Sequence, residues 1–60
     1  MSLVKTWYTL KEATEKFGVE EQRILEWVEQ GMIRAEHAKR TVVRVNADDL
    51  DLKLQELTRI

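Results

Sequence analysis

The chain has no cysteine and no proline, two glycines and a single histidine. Without cysteine there is no disulfide to staple the fold and no thiolate to hold a metal. Without proline, helices must be ended by glycine, by capping side chains or by tertiary contacts. One histidine, His37, cannot build a metal site or a catalytic dyad unaided. No apolar run approaches the roughly 20 residues of a membrane span. No signal-peptide pattern is visible, so a cytoplasmic protein with no membrane partner is expected. There is also no nucleophile set beside a base, no metal-ligand spacing and no glycine-rich phosphate loop. The sequence therefore points away from an enzyme, and no cofactor or metal is expected.

What remains is 60 residues, 43% hydrophobic and 35% charged, a balance that suits one small folded domain rather than a disordered segment. The whole of 1–60 reads as that domain, with its core over about 7–58. At this length the buried surface leaves little surplus over chain entropy.

The net charge of −1 hides a pattern. Residues 9–30 carry six glutamates against Lys11, Lys16 and Arg23. Residues 31–46 carry Arg34, Lys39, Arg40 and Arg44 against Glu36 alone. The stretch after 46 is acidic again. By itself the net charge argues against strong non-specific nucleic-acid binding, but the positive charge sits in one segment, whose place in space has to be found.

Local signals set the elements. Thr9-Leu10-Lys11-Glu12 is a capping box, because the Thr hydroxyl can accept from the backbone three residues on while Glu12 reaches back. Leu10, Ala13 and Phe17 follow at helical spacing, and Gly18 supplies the backbone that a helix end needs. The first helix is predicted over about Leu10–Phe17. Val19 plugs the turn. Ile24, Trp27 and Val28 then share a face, which predicts a second helix over about Glu21–Gln30 with Gly31 as its stop. Its N-cap position holds Glu20, where Ser, Thr or Asp is favoured. Trp27 belongs to the core on this spacing.

Ile33–Glu36 and Thr41–Val45 are short extended candidates, joined by the polar stretch His37–Arg40. No Asn-Gly signal marks a two-residue turn, so a hairpin with a loop of three or more residues is predicted. A short strand at Trp7-Tyr8 can pair with it. Asn46 is a good N-cap with Asp48 and Asp49 in the first turn, and Leu50, Leu54 and Leu57 recur on one stripe. The third helix is predicted over about Ala47–Thr58. Leu25 and Leu52 fall off the apolar stripes. If both are exposed, they mark a contact surface.

The order is α+β and mainly α: helix, tight turn, helix, hairpin, helix. The residues WYTLKEATEKFGV, ILEWVEQGMI and VVRVNADDL resemble the excisionase-type, MerR-like winged helix-turn-helix family across about residues 7–57. The resemblance implies three helices plus a β-hairpin wing, binding to double-stranded DNA, and a role in transcription regulation or recombination. It places the second helix in the major groove and the wing around His37–Arg40 on the backbone or in the minor groove. Carried over, Gln22 and Arg23 meet base edges, while Lys11, Lys39, Arg40 and Arg44 meet phosphates. With so few cations a monomer binds weakly, which implies a homodimer or a cooperative array on neighbouring sites.

One departure has its own implication. Where MerR-like members often carry Arg after the Ile of the second helix, this chain has Leu25, and the helix is acidic. The related chaperone-modulator group has a similarly acidic second helix and binds a protein. The alternative expectation is therefore a protein-interaction module on the same fold. In that reading Glu21, Leu25, Glu26 and Glu29 dock a basic partner protein.

Overall fold

The computed structural model describes residues 6–58. Within them the order is β1 (Trp7–Thr9), α1 (Leu10–Phe17), α2 (Glu21–Glu29), β2 (Ala35–Ala38), β3 (Thr41–Asn46) and α3 (Ala47–Thr58). The described residues form a small α+β domain of three helices and one antiparallel three-stranded sheet, ordered β1-β3-β2. None of these helices is long and apolar enough to cross a membrane.

The capping box of α1 forms as its residues dictate. The Glu12 N–H donates to Thr9 Oγ1 at 3.1 Å and the Thr9 N–H donates to Glu12 Oε1 at 3.0 Å, so two otherwise orphaned donors are satisfied. At the other end Gly18 sits at φ 69°, and its N–H closes on the Thr14 carbonyl at 2.9 Å. This is the left-handed C-cap that glycine adopts without steric cost.

Helix α2 starts poorly and ends well. Glu20 gives no side-chain cap, as its residue type predicts. Gln30 is the C-cap residue rather than the last helical one, and Gly31 follows at φ 81°. The Gly31 N–H reaches the Val28 carbonyl at 3.0 Å and the Met32 N–H reaches that of Trp27 at 2.9 Å. These two bonds make a Schellman motif. The motif turns the chain so that Ile33 enters the core while Met32 stays outside.

The hairpin departs from expectation in two ways. First, β2 begins at Ala35, not Ile33, and extends through His37 and Ala38. Ile33 is a buried connector residue instead, its side chain used for packing. Second, Ala38 pairs with Thr41, leaving a turn of only Lys39 and Arg40, shorter than the predicted loop. Both turn residues have positive φ, 51° and 68°, the backbone signature of a type I′ turn. Pairing on both sides of the turn imposes that geometry on residues that do not prefer it. Further back, Glu36 lies opposite Arg44 but His37 lies opposite Val42, so Val43 is the extra residue of a β-bulge.

The core lies between the sheet and the helices. Tyr8 and Ala35 flank Val45 across the sheet and give it an apolar row. Ile24, Leu50 and Val45 are its fully buried large side chains, joined by Ala13, Ile33, Ala47 and Trp27. Trp27 is thus core, as its spacing predicts. Tyr8 meets Phe17 edge to face, with centroids 6.1 Å apart.

Helix α3 starts where Asn46 Oδ1 accepts from the Asp49 N–H at 2.9 Å, an N-cap bond. Its apolar stripe runs out of core before it ends. Leu50 is buried and Leu54 half-buried, but Leu57 is 55% exposed, a correction to the predicted stripe. Among the described residues, Leu57 is not one of the hydrophobics packed against the core.

Candidate functional site

The surface divides into regions of different chemistry, each set by the fold beneath it. The first is the hairpin tip. Lys39 and Arg40 form the whole turn and are exposed, and among the described residues neither has an ion-pair partner. His37 sits beside them on β2, also exposed.

The rest of the basic segment is not free. Arg44 Nε lies 2.9 Å from Glu36 Oε1, a cross-strand ion pair between residues directly opposite in the register. Arg34 is held by Asp49 at the start of α3. Its Nε donates to Asp49 Oδ2 at 2.8 Å, its Nη2 to Oδ1 at 3.2 Å, and its backbone N–H to Oδ2 at 3.0 Å. The hydrogen bond from the Arg34 side chain, then that from its backbone, holds the Asp49 carboxyl below the usual aspartate range. The same hydrogen bond raises the Arg34 guanidinium. The cationic charge of residues 31–46 is therefore paired at Arg34 and Arg44 and left standing at the turn.

The second region is the outer face of α2. Ile24 and Trp27 point inward, which turns Gln22, Glu26 and Glu29 outward. Arg23 is exposed on one flank of that face. On the other flank Leu25, 37% exposed, lies one turn from Glu21 and one turn from Glu29. Lys11 is exposed on α1. Every residue singled out from the sequence thus reaches solvent, but Arg44 does so with its charge already engaged.

The third region was only half legible in the sequence. Leu52 stands out there by lying off the α3 stripe, but Met32 gives no signal, because it stands beside Ile33 just after Gly31 and nothing local says which of the two is buried. The fold brings them to one hollow lined by Met32, Asp49, Leu52, Lys53 and Glu56. The Arg34–Asp49 pair on its margin was not visible either, since its partners lie 15 residues apart. Among the described residues no group of three or more His, Cys, Asp or Glu is placed to hold a metal ion.

In comparisons with known proteins, no family model, no curated protein and no solved structure matches this chain. A functional reading rests on the residues themselves.

Proposed function

We propose that this chain is a winged helix-turn-helix domain of the excisionase/MerR-like type that binds double-stranded DNA, acting in transcription regulation or DNA recombination. The observation that carries the reading is the hairpin tip. A type I′ turn favours Asn-Gly, and a non-glycine residue in the left-handed region costs about 1–2 kcal/mol. This turn holds Lys39 and Arg40 at φ 51° and 68°, two cations presented at a conformational cost. Strain of that kind at an exposed tip fits a binding role, with both side chains on phosphates. In this reading β2 and β3 are the wing and α2 is the helix offered to the major groove, with Gln22 and Arg23 at base edges.

Arg44 is taken out of the phosphate count by its carboxylate partner, Glu36. Lys39, Arg40 and Lys11 remain. Three phosphate contacts imply a salt slope of about −3.

The test is an amide NMR titration of the labelled domain with a mixed-sequence duplex at low salt. Its control is the double variant Lys39→Asn, Arg40→Gly, which suits the turn and removes both cations. Shifts at Arg23, Lys39 and Arg40 that salt reverses, and their loss in the variant, are expected. Flat wild-type spectra, or equal binding by the variant, would overturn the DNA reading.

A second reading is favoured by the acidic face of α2. Leu25 set between Glu21 and Glu29, with Glu26 beside them, suits a basic protein surface better than a phosphate backbone. It gains if the titration is flat.

A further inference from the structure

The hairpin carries one carboxylate among its cations. Glu36 is the only Asp or Glu of residues 31–46, and the register sets it directly opposite Arg44. The alternation of the sheet decides where the two side chains go. Tyr8, Val45 and Ala35 form the row against the core, so the next row, Thr9, Arg44 and Glu36, stands on the outer face. There Arg44 Nε meets Glu36 Oε1 at 2.9 Å, with the two side chains 52% and 46% exposed.

The two paired arginines of this segment are held very differently. Arg34 makes three hydrogen bonds to Asp49, one of them from its backbone, and the Asp49 side chain is only 18% exposed. Releasing Arg34 would strand a shielded carboxylate. Arg44 has a single ion-pair contact among the described residues, with a partner open to water. A pair of this kind contributes little to folding, because water and salt serve its two charges nearly as well when they are apart. Its effect on an anionic ligand is larger. The Glu36 carboxylate takes the Nε edge of the guanidinium, neutralises its charge and repels any phosphate brought near.

We propose that Glu36 is an autoinhibitory residue of the hairpin: it stands where a DNA phosphate would otherwise meet Arg44, and so limits duplex binding to Lys11, Lys39 and Arg40. This rests on the DNA reading above and names a control on that same surface. Glu36 sets how strongly the hairpin holds a duplex, not how well the chain folds.

The test is fluorescence anisotropy of a labelled mixed-sequence duplex over a salt series, with the whole chain, Glu36→Gln, Arg44→Gln and the double variant. The pair is exposed, so all four chains should give the same thermal melt. Freed by Glu36→Gln, Arg44 adds one phosphate contact. The salt slope should then steepen by about 0.9, and binding at about 0.1 M salt should tighten roughly eightfold. In the Arg44→Gln background the same substitution should bring neither gain. Equal affinity and slope in wild type and Glu36→Gln would overturn the proposal and leave the DNA reading standing. So would an equal gain in the Arg44→Gln background, since Glu36 would then repel the duplex without acting through Arg44. A duplex that none of the four chains binds would remove the DNA reading itself, and this inference with it.

Discussion

Arg34 and Asp49 are joined by three hydrogen bonds, two from the guanidinium at 2.8 and 3.2 Å and one from the Arg34 backbone N–H at 3.0 Å. Through them the segment after α2 is tied to the first turn of α3, where Asp49 also donates its own N–H to Asn46. A carboxylate held this way titrates below its ordinary value.

The pH dependence follows with a definite sign. Because the folded pKa of Asp49 is depressed, the pair stabilises the fold fully above the unfolded aspartate value of about 3.9. That stability is lost as pH falls through the lower folded pKa. Asp49→Asn should therefore melt below wild type at neutral pH, and the two melting curves should converge as the medium becomes strongly acid. Curves that stay parallel down to the acid limit would remove Asp49 from the account.

The turn offers a prediction about stability as well as binding. Lys39→Asn with Arg40→Gly puts residues that tolerate positive φ where positive φ is required. The double variant should be more stable than wild type by about 1–2 kcal/mol in urea unfolding. Together with lost duplex binding, that gain would separate function from folding in one molecule.

Neighbouring residues of α2 should behave oppositely. Ile24 is fully buried, so Ile24→Val should cost about 0.5–1.5 kcal/mol. Leu25→Ala, on the exposed side, should fall within about 0.5 kcal/mol of wild type. A large loss at Leu25 in the isolated chain would mean that its side chain supports the fold and not a contact surface.

The helix starts can be tested as a pair. Asn46→Ala removes a formed cap and should cost about 1–2 kcal/mol, whereas Glu20→Ser supplies one that is missing and should add about 0.5–1 kcal/mol. Thermal melts of the two single variants decide this.

Neutralising the outer face of α2 tells the two functional readings apart. Glu26→Gln with Glu29→Gln should tighten duplex binding if α2 approaches phosphates, since two repulsive charges are gone. Fluorescence anisotropy of a labelled duplex at fixed low salt reads the change. Unchanged affinity would place α2 away from the duplex.

The sequence by itself determined the helices, because their ends are written in short-range chemistry. Thr9 with Glu12, Gly18, Gly31 and Asn46 each act within three or four residues, and the 3.6-residue spacing of Ile24, Trp27 and Val28 names a buried face without reference to anything distant. The tertiary structure alone decided the hairpin and the charges. Nothing local marks Lys39-Arg40 as a two-residue turn. It is one because Ala38 and Thr41 are paired by strands that the core holds in register. Nothing local removes Arg34 and Arg44 from the cationic segment either. They are spent on Asp49 and Glu36, partners 15 and 8 positions away that meet only once α3 and β2 are in place. Leu57 keeps the spacing of a core residue, but burial needs something to pack against, and among the described residues the core takes in Leu50 and Leu54 and not Leu57.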